Sequence, residues 1–418
     1  SPLILSRAEH PISRKDIDPD TLRILYRLHQ HGFKAYLVGG CVRDLLLGKT
    51  PKDFDVATDA QPREIREIFR NSRLIGRRFR LAHVFFPGGK YIEVSTFRRA
   101  SEFDEANGEN GIQEDNTFGT PAEDAFRRDI TINGIFYDIS DFSLLDYVGG
   151  LKDLRDGVIR SIGDPDEKFI QDPVRMIRVI RHAARTGFFI EENTRRSLLA
   201  HVAKIQLCSP ARVRDEFFRD LREGSARASI ELMLDTGMLF ALFPPLEEPL
   251  REEKTREFFL GLISAMDGLR HSEIQPPDEI YLGLFLLPFL GYFCPTADLP
   301  PGRRGQADFL PRVRQWLIEL LTPLHFTRFA KEWSTQVLSA QRVIGELLPQ
   351  GKIPIRLMRK PYFQSALQLF ELGSQASGNA GPVSWTVAEP SRRGRRRRHG
   401  HRRGRRPRPQ ETPGESFP

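Results

Sequence analysis

Asp53 and Asp55, one residue apart in Lys52-Asp-Phe-Asp-Val56, are the side chains of this sequence whose type and spacing most directly suggest chemistry. On a strand successive side chains alternate between faces, so two aspartates separated by one residue project from the same face. Such a pair suits a hard divalent cation, and Mg²⁺ is typically held by one or two carboxylates completed by substrate phosphates and water. Upstream, Gly39-Gly40 lies where an apolar run, Phe33 to Val38, gives way to a short amphipathic helix. A helix entrance rich in N–H groups is a place where a triphosphate can sit. Alone, Asp-Phe-Asp is a common loop element and Gly-Gly a tight turn. In the order strand, helix, strand, the two together predict a metal–triphosphate site.

Several elements must position these groups. Asp18 as N-cap and Pro19 at the first helical position open a helix whose Leu22, Leu25, Tyr26 and Leu28 recur at helical spacing, and Gly32 closes it. After Asp55, Asp59 and Pro62 start a helix over Arg63 to Arg70. A strand over Leu81 to Phe86, a Gly88-Gly89 turn and a strand over Tyr91 to Phe97 form a hairpin. The returning strand carries Glu93, expected beside the aspartate strand. From Ala100 to Asp124 the chain is acidic and rich in Asn and Gly, a long loop. Arg127, Arg128 and Asp129 then precede an apolar stretch whose period fits helix and strand equally, and Tyr147 to Leu154 holds a second glycine-pair turn. A first domain is expected to end near Gly163. From Asp164 the pattern is helical, with stripes such as Val313, Trp316, Leu317 and Leu320.

The length of 418 residues implies two or three domains. Cys41, Cys208 and Cys294 are few, odd in number and without metal-ligand spacing, which points to a reducing compartment. The first residues lack the pattern of a signal peptide, and the strongest apolar run, Ile280 to Phe293, is too short to span a bilayer and contains Pro288. A cytoplasmic chain with no membrane contact is expected. Net charge is +8, yet Ser391 to Pro409 alone holds eleven arginines and no acid, so without them the rest of the chain is acidic. A polyanion, nucleic acid above all, is the implied partner of that tail. His83, His182 and His201 show no spacing that suggests a metal, and Trp316 and Trp333 read as helical core.

Six segments occur in the order seen in one known family. They are Leu37 to Asp44 (Leu-Val-Gly-Gly-Cys-Val-Arg-Asp), Asp53 to Val56, Ile92 to Arg98, Arg127 to Asn133, Asp146 to Leu154 and Asp172 to Arg178. The chain resembles the class II nucleotidyltransferases of the polymerase-beta-like superfamily, which comprise the tRNA CCA-adding enzymes and the bacterial poly(A) polymerases. The resemblance covers roughly Ile12 to Arg185. It implies an α+β protein: a nucleotidyltransferase head with a mixed or antiparallel sheet over residues 1–163 and a helical neck over 164–230. A helical RNA-binding body would follow over 231–375, and a disordered arginine-rich tail over 376–418.

The resemblance also implies template-independent addition of nucleotides to RNA 3′ ends, with Mg²⁺ as cofactor and ATP as substrate. Asp53 and Asp55 would hold two metal ions, while Gly39, Gly40 and Arg43 would cradle the triphosphate. Asp129 belongs to the catalytic set, and whether it or Glu93 completes the metal site stays open. Base recognition would fall to Asp172, Arg175 and Arg178, on the premise that helical residues three apart share a face. Where the CCA-adding enzymes have Glu-Asp, this chain has Gln171-Asp172, a departure that bears on base selectivity. Leu74 to His83 and the basic tail resemble the poly(A) polymerase branch. The rivals are CCA addition to tRNA and, from another class, a non-catalytic RNA-binding protein on the same fold. Protein partners are not indicated.

Overall fold

Short signals at the ends of elements set the order of the head. A computed structural model describes residues 1–76, 80–99, 118–270, 276–378 and 386–388. β1 (Leu3–Leu5) leads to α1 (Pro19–Gln30), whose first turn is capped by Asp18 accepting from the Thr21 N–H at 2.9 Å. Then come β2 (Ala35–Val38), α2 (Gly40–Leu46), β3 (Asp55–Thr58) and α3 (Pro62–Ile68). β4 (Ser72–Ile75), β5 (Leu81–Phe85) and β6 (Tyr91–Thr96) follow, and Gly88 and Gly89, with φ of 80° and 78°, turn the hairpin between the last two. α4 (Pro121–Phe126), β7 (Ile135–Asp138), β8 (Leu144–Asp146) and α5 (Gly150–Asp156) complete this part.

The eight strands form one sheet in the order β1-β8-β7-β2-β3-β6-β5-β4. It is mixed: β3 and β6 are parallel, and the other neighbours are antiparallel. β2 is buried along its whole length because both faces are covered. Leu37 faces the main core with Leu25 and Val42, and Tyr36 and Val38 face a second cluster with Ala57, Phe97 and Phe136. That explains why Ala35 to Val38 is apolar without alternation. β6 is covered on one face only, so Ile92 and Val94 are buried while Tyr91 is exposed.

Beyond α5 the described chain is helical apart from two short parallel strand pairs, Val158–Ile159 with Phe189–Ile190 and Lys352–Pro354 with Thr386–Ala388. α6 (Pro165–Gln171), α7 (Val174–Thr186), α8 (Glu192–His201) and α9 (Pro210–Arg222) adjoin the head, and the main hydrophobic core runs on without a break into the later helices. The run Ile280 to Phe293 is helix, buried from Ile280 to Leu286, interrupted by a 3₁₀ turn at Leu287–Phe289 where Pro288 sits and emerging to solvent at Tyr292. Trp316 is buried and stacks on Phe293 at 5.3 Å. Among the described residues no helix is long and apolar enough to cross a membrane.

The C-terminal boundary differs from expectation. Thr386–Ala388 pairs in parallel with Lys352–Pro354 within the stretch 376–418 expected to be disordered, and the helix Phe363–Ala376 reaches the first residue of that stretch. Ala376, the last residue of that helix, lies against Gly261. The arginine tract from Ser391 to Pro409, Arg77 to Phe79 and most of the loop after Ala100 lie outside the described residues.

Candidate active site

The glycine pair and the aspartates meet because β2 and β3 are neighbours, with Val38 opposite Asp55. Gly39 follows at φ 84° and ψ −142°, a backbone region that excludes side chains. A Cβ there would lie 3.6 Å from both Asp55 Oδ2 and an Arg128 guanidinium nitrogen, so the backbone passes beside both groups. No side chain caps the start of α2. The second glycine-pair turn is different: buried Asp146 accepts from the N–H groups of Val148, Gly149, Gly150 and Leu151, which closes that turn on itself.

Asp53 does not share the strand with Asp55. β3 starts at Asp55, because its partner β2 ends at Val38 and Gly39 turns away, leaving Asp53 without a strand to pair with. The two aspartates therefore do not share a strand face, yet both line one cavity of about 920 Å³ together with Glu93. Glu93 lies directly opposite Asp55 in the parallel β3–β6 register. Asp55 keeps solvent access at the head of β3, but the surrounding protein raises its carboxyl to about 6. Desolvation is the main cause and Glu93 the second; Arg128 opposes them and Asp53 adds to them. Among the described residues no three His, Cys, Asp or Glu side chains close into a metal site.

Asp129 faces elsewhere. Its two oxygens meet Arg175 at 3.0 Å and Arg178 at 2.9 Å, both on α7. Arg178 also reaches Glu216 on α9, and Arg181 joins Glu216 to the fully buried Asp220. Arg127 and Arg128 close on buried Asp124 at 2.9 and 2.8 Å. Arginines of α7 and acids of α9 thus form a ladder, with Asp129 at its upper end. Glu216, Asp220 and Arg181 escaped the sequence reading, although the spacing of Arg175, Arg178 and Arg181 against Glu216 and Asp220 is a legible pair of facing stripes.

Arg43 is 1% exposed and lies inside the protein. It donates to Asp44 at 2.8 and 2.9 Å and to Asn133 at 2.8 Å, and stands 3.4 Å from His182 Nδ1. Asp172 ends α6 instead of sharing a helix with Arg175, because Pro173 separates α6 from α7. It pairs with Arg212 at 3.0 Å, whereas Arg175 turns to Asp129. Gly39, Gly40, Asp53 and Asp55 are thus brought together, and Asp129, Arg175 and Arg178 form a second group.

His182 links Arg43 and Asn133 within the protein, bonding Asn133 Nδ2 at 3.3 Å. Burial first, then the guanidinium groups of Arg43, Arg181, Arg185 and Arg178, hold its imidazole well below 6.5. Unfolded, the ring takes its proton near 6.5; folded, it does not, so its contribution to stability is full above that pH and is lost as the pH falls below it. The melting temperature of the unaltered protein is expected to drop between about pH 7 and about pH 5 more steeply than that of His182→Gln, read by thermal unfolding across that range.

Two family models match: "Poly A polymerase head domain" over residues 35–160 and "Probable RNA and SrmB- binding site of polymerase A" over residues 187–249. The chain is 38% identical over 392 residues to poly(A) polymerase I of Salmonella typhimurium strain LT2, which covers 90% of this chain and 82% of that protein. It is also 35% identical over 224 residues to the CCA-adding enzyme of Bacillus licheniformis, covering 54% and 55%. In fold it resembles the crystal structure of the Bacillus stearothermophilus CCA-adding enzyme in complex with CTP, with a TM-score of 0.60 and 24% identity over 87% of this chain and 82% of that one. With similarity to poly(A) polymerase I extending over nine-tenths of its length, the chain belongs to the nucleotidyltransferase family of the poly(A) polymerases and CCA-adding enzymes.

Proposed function

We propose that this chain transfers AMP from ATP to RNA 3′ ends and repeats the step to build poly(A). The observation that carries the reading is the acidic cleft of Asp53, Asp55 and Glu93 beside the uncapped Gly39–Gly40 entrance, in a chain similar to poly(A) polymerase I over 90% of its length. The donor set fits Mg²⁺: it is all oxygen and acidic, and a cation would relieve the crowding that raises Asp55. Asp53 and Asp55 would hold the metal, with Glu93 beside them, since Asp129 is already engaged by Arg175 and Arg178. When bound as a pair, such ions favour the deprotonated primer hydroxyl and neutralise the leaving pyrophosphate.

The chain's own groups do the remaining work. Gly39 and Gly40 let the triphosphate approach the backbone, and Arg128, held by Asp124, adds positive charge at that spot. Arg43 serves as a positioning residue, tying α2 to Asn133 and to His182 of α7. Asp172, Arg175 and Arg178 are the base-reading candidates, the two arginines set in place by Asp129 and Glu216.

Incubating the purified full chain with an unstructured RNA oligonucleotide, Mg²⁺ and each nucleoside triphosphate in turn tests the proposal. A ladder with ATP alone is expected. The 35% identity to a CCA-adding enzyme favours a second reading, CCA addition, whose signature is CTP incorporation on tRNA ends followed by a stop after one A. Absence of any addition overturns both.

A further inference from the structure

The sheet continues past the acidic cleft as an open face. Register places Asp55 of β3, Glu93 of β6, His83 of β5 and Arg73 of β4 in one row across four strands. In the adjoining row Tyr91 stands opposite Phe85. Ala82, Val84, Ile92 and Val94 are buried on the other face, so strand alternation puts His83, Phe85, Tyr91 and Glu93 together on the outer one. Tyr91 is 53% exposed and Phe85 38%. The His83 ring stacks on Tyr91 at 4.3 Å with only 11° between planes, and Phe85 lies 6.1 Å from Tyr91.

We infer that Tyr91, backed by His83, is a stacking platform for the base at the 3′ end of the RNA primer; the inference rests on the nucleotidyltransferase reading above. Three observations single out a nucleobase as the occupant. Tyr91 lines the same cavity as Asp53, Asp55 and Glu93. The exposed Tyr91 ring offers an uncharged aromatic surface on which a base of any sequence stacks, while Lys15, Lys52 and Arg219 of the same cavity are placed for the backbone. The ring is also held ready. Lys90, next in chain, pairs with Asp18 and with Asp20 at 2.9 Å, which ties the hairpin turn to α1.

Sheet order assigns the base to RNA instead of ATP. The Gly39–Gly40 entrance borders Asp55 on its β2 side, and Tyr91 and Glu93 border it on its β6 side. In phosphoryl transfer the attacking and leaving oxygens lie roughly in line, so triphosphate on one side calls for the primer hydroxyl on the other. Stacking is also tolerant of sequence, as extension of many RNA ends requires.

The test uses the full chain and a short oligoadenylate carrying 2-aminopurine as its 3′-terminal base. Wild type is expected to quench that fluorescence on binding, Tyr91→Ala to lose the quench, and Tyr91→Trp to restore it. In steady-state assays Tyr91→Ala is expected to raise the KM for RNA by about 5- to 150-fold, the range of a lost base–aromatic stack, with the KM for ATP unchanged. An unaltered RNA KM with intact quenching overturns the inference, as does a rise confined to the ATP KM, which would place the ATP adenine on Tyr91. Should Tyr91→Ala fail to fold, oligoadenylate with an abasic 3′ nucleotide decides on the unaltered protein: weaker binding supports the platform, and equal binding overturns it. Quenching needs no turnover, so a protein that stacks the base but adds no nucleotide refutes the functional reading alone.

Discussion

Asp55→Asn is expected to abolish nucleotide addition, lowering kcat/KM by on the order of 10³-fold or more, while leaving the melting temperature at neutral pH unchanged or raised. The two halves of that outcome have one cause. Asp55 lies opposite Glu93 and near Asp53, and its carboxyl is pushed up to about 6 by desolvation first and Glu93 second. A negative charge there is unfavourable for the folded protein without a cation, so an isosteric neutral side chain removes repulsion. The same substitution removes the ligand that brings a metal to the reacting phosphate, a contribution of several kcal/mol in the transition state. Asp53→Asn is expected to lose activity likewise. Paired measurement of steady-state kinetics and thermal unfolding checks this; activity within tenfold of wild type would exclude Asp55 from the chemistry.

Arg181→Ala is expected to be the opposite case, a large loss of stability from a residue that does not line the cavity of Asp55. The guanidinium is buried, donates to the Glu216 carbonyl at 2.9 Å and to Asp220, which is 0% exposed, and forms an ion pair with the Glu216 carboxylate at 2.6 Å. Burial drives the Asp220 carboxyl up, and Arg181 is the group that pulls it back. Removing one partner of a buried pair leaves the other uncompensated, at a cost of about 3–5 kcal/mol. Glu216 is less affected because Arg178 still holds it at 3.0 Å. Denaturant unfolding should register that loss for the single variant. Arg181→Met combined with Asp220→Leu should recover much of it, since no charge is then stranded. A double variant as unstable as the single would assign the loss to packing.

Much of the head was legible from local signals. Asp18 and Pro19 start α1 where the capping pattern places it, and the unalternating run before Gly39 is a strand covered on both faces. Gly88-Gly89 turns the β5–β6 hairpin, and Glu93 arrives beside Asp55. Other features were not legible. Asp53 falls in the turn before β3 because its partner strand ends at Val38, a fact about the neighbour and not about Asp53. Arg43 reads as a phosphate ligand by type, yet its donors are taken by Asp44 and Asn133 inside the protein. Asp172 and Arg175 are separated by a helix break at Pro173 that redirects each to a different partner.

By itself, then, the sequence determined which residue types are present, how they alternate within each element, and that an arginine-rich segment follows an acidic body. Those properties depend on neighbours a few residues away, which the periods of strand and helix order reliably. The sequence left Glu93 and Asp129 as alternative companions of Asp55, and only the tertiary structure separated them. Glu93 accompanies Asp55 because β6 lies parallel to β3, while Asp129 is drawn to Arg178, 49 residues along the chain. The physical reason is range: charge pairing acts between whatever groups the packed helices and sheet bring within a few ångströms, irrespective of their separation in the chain.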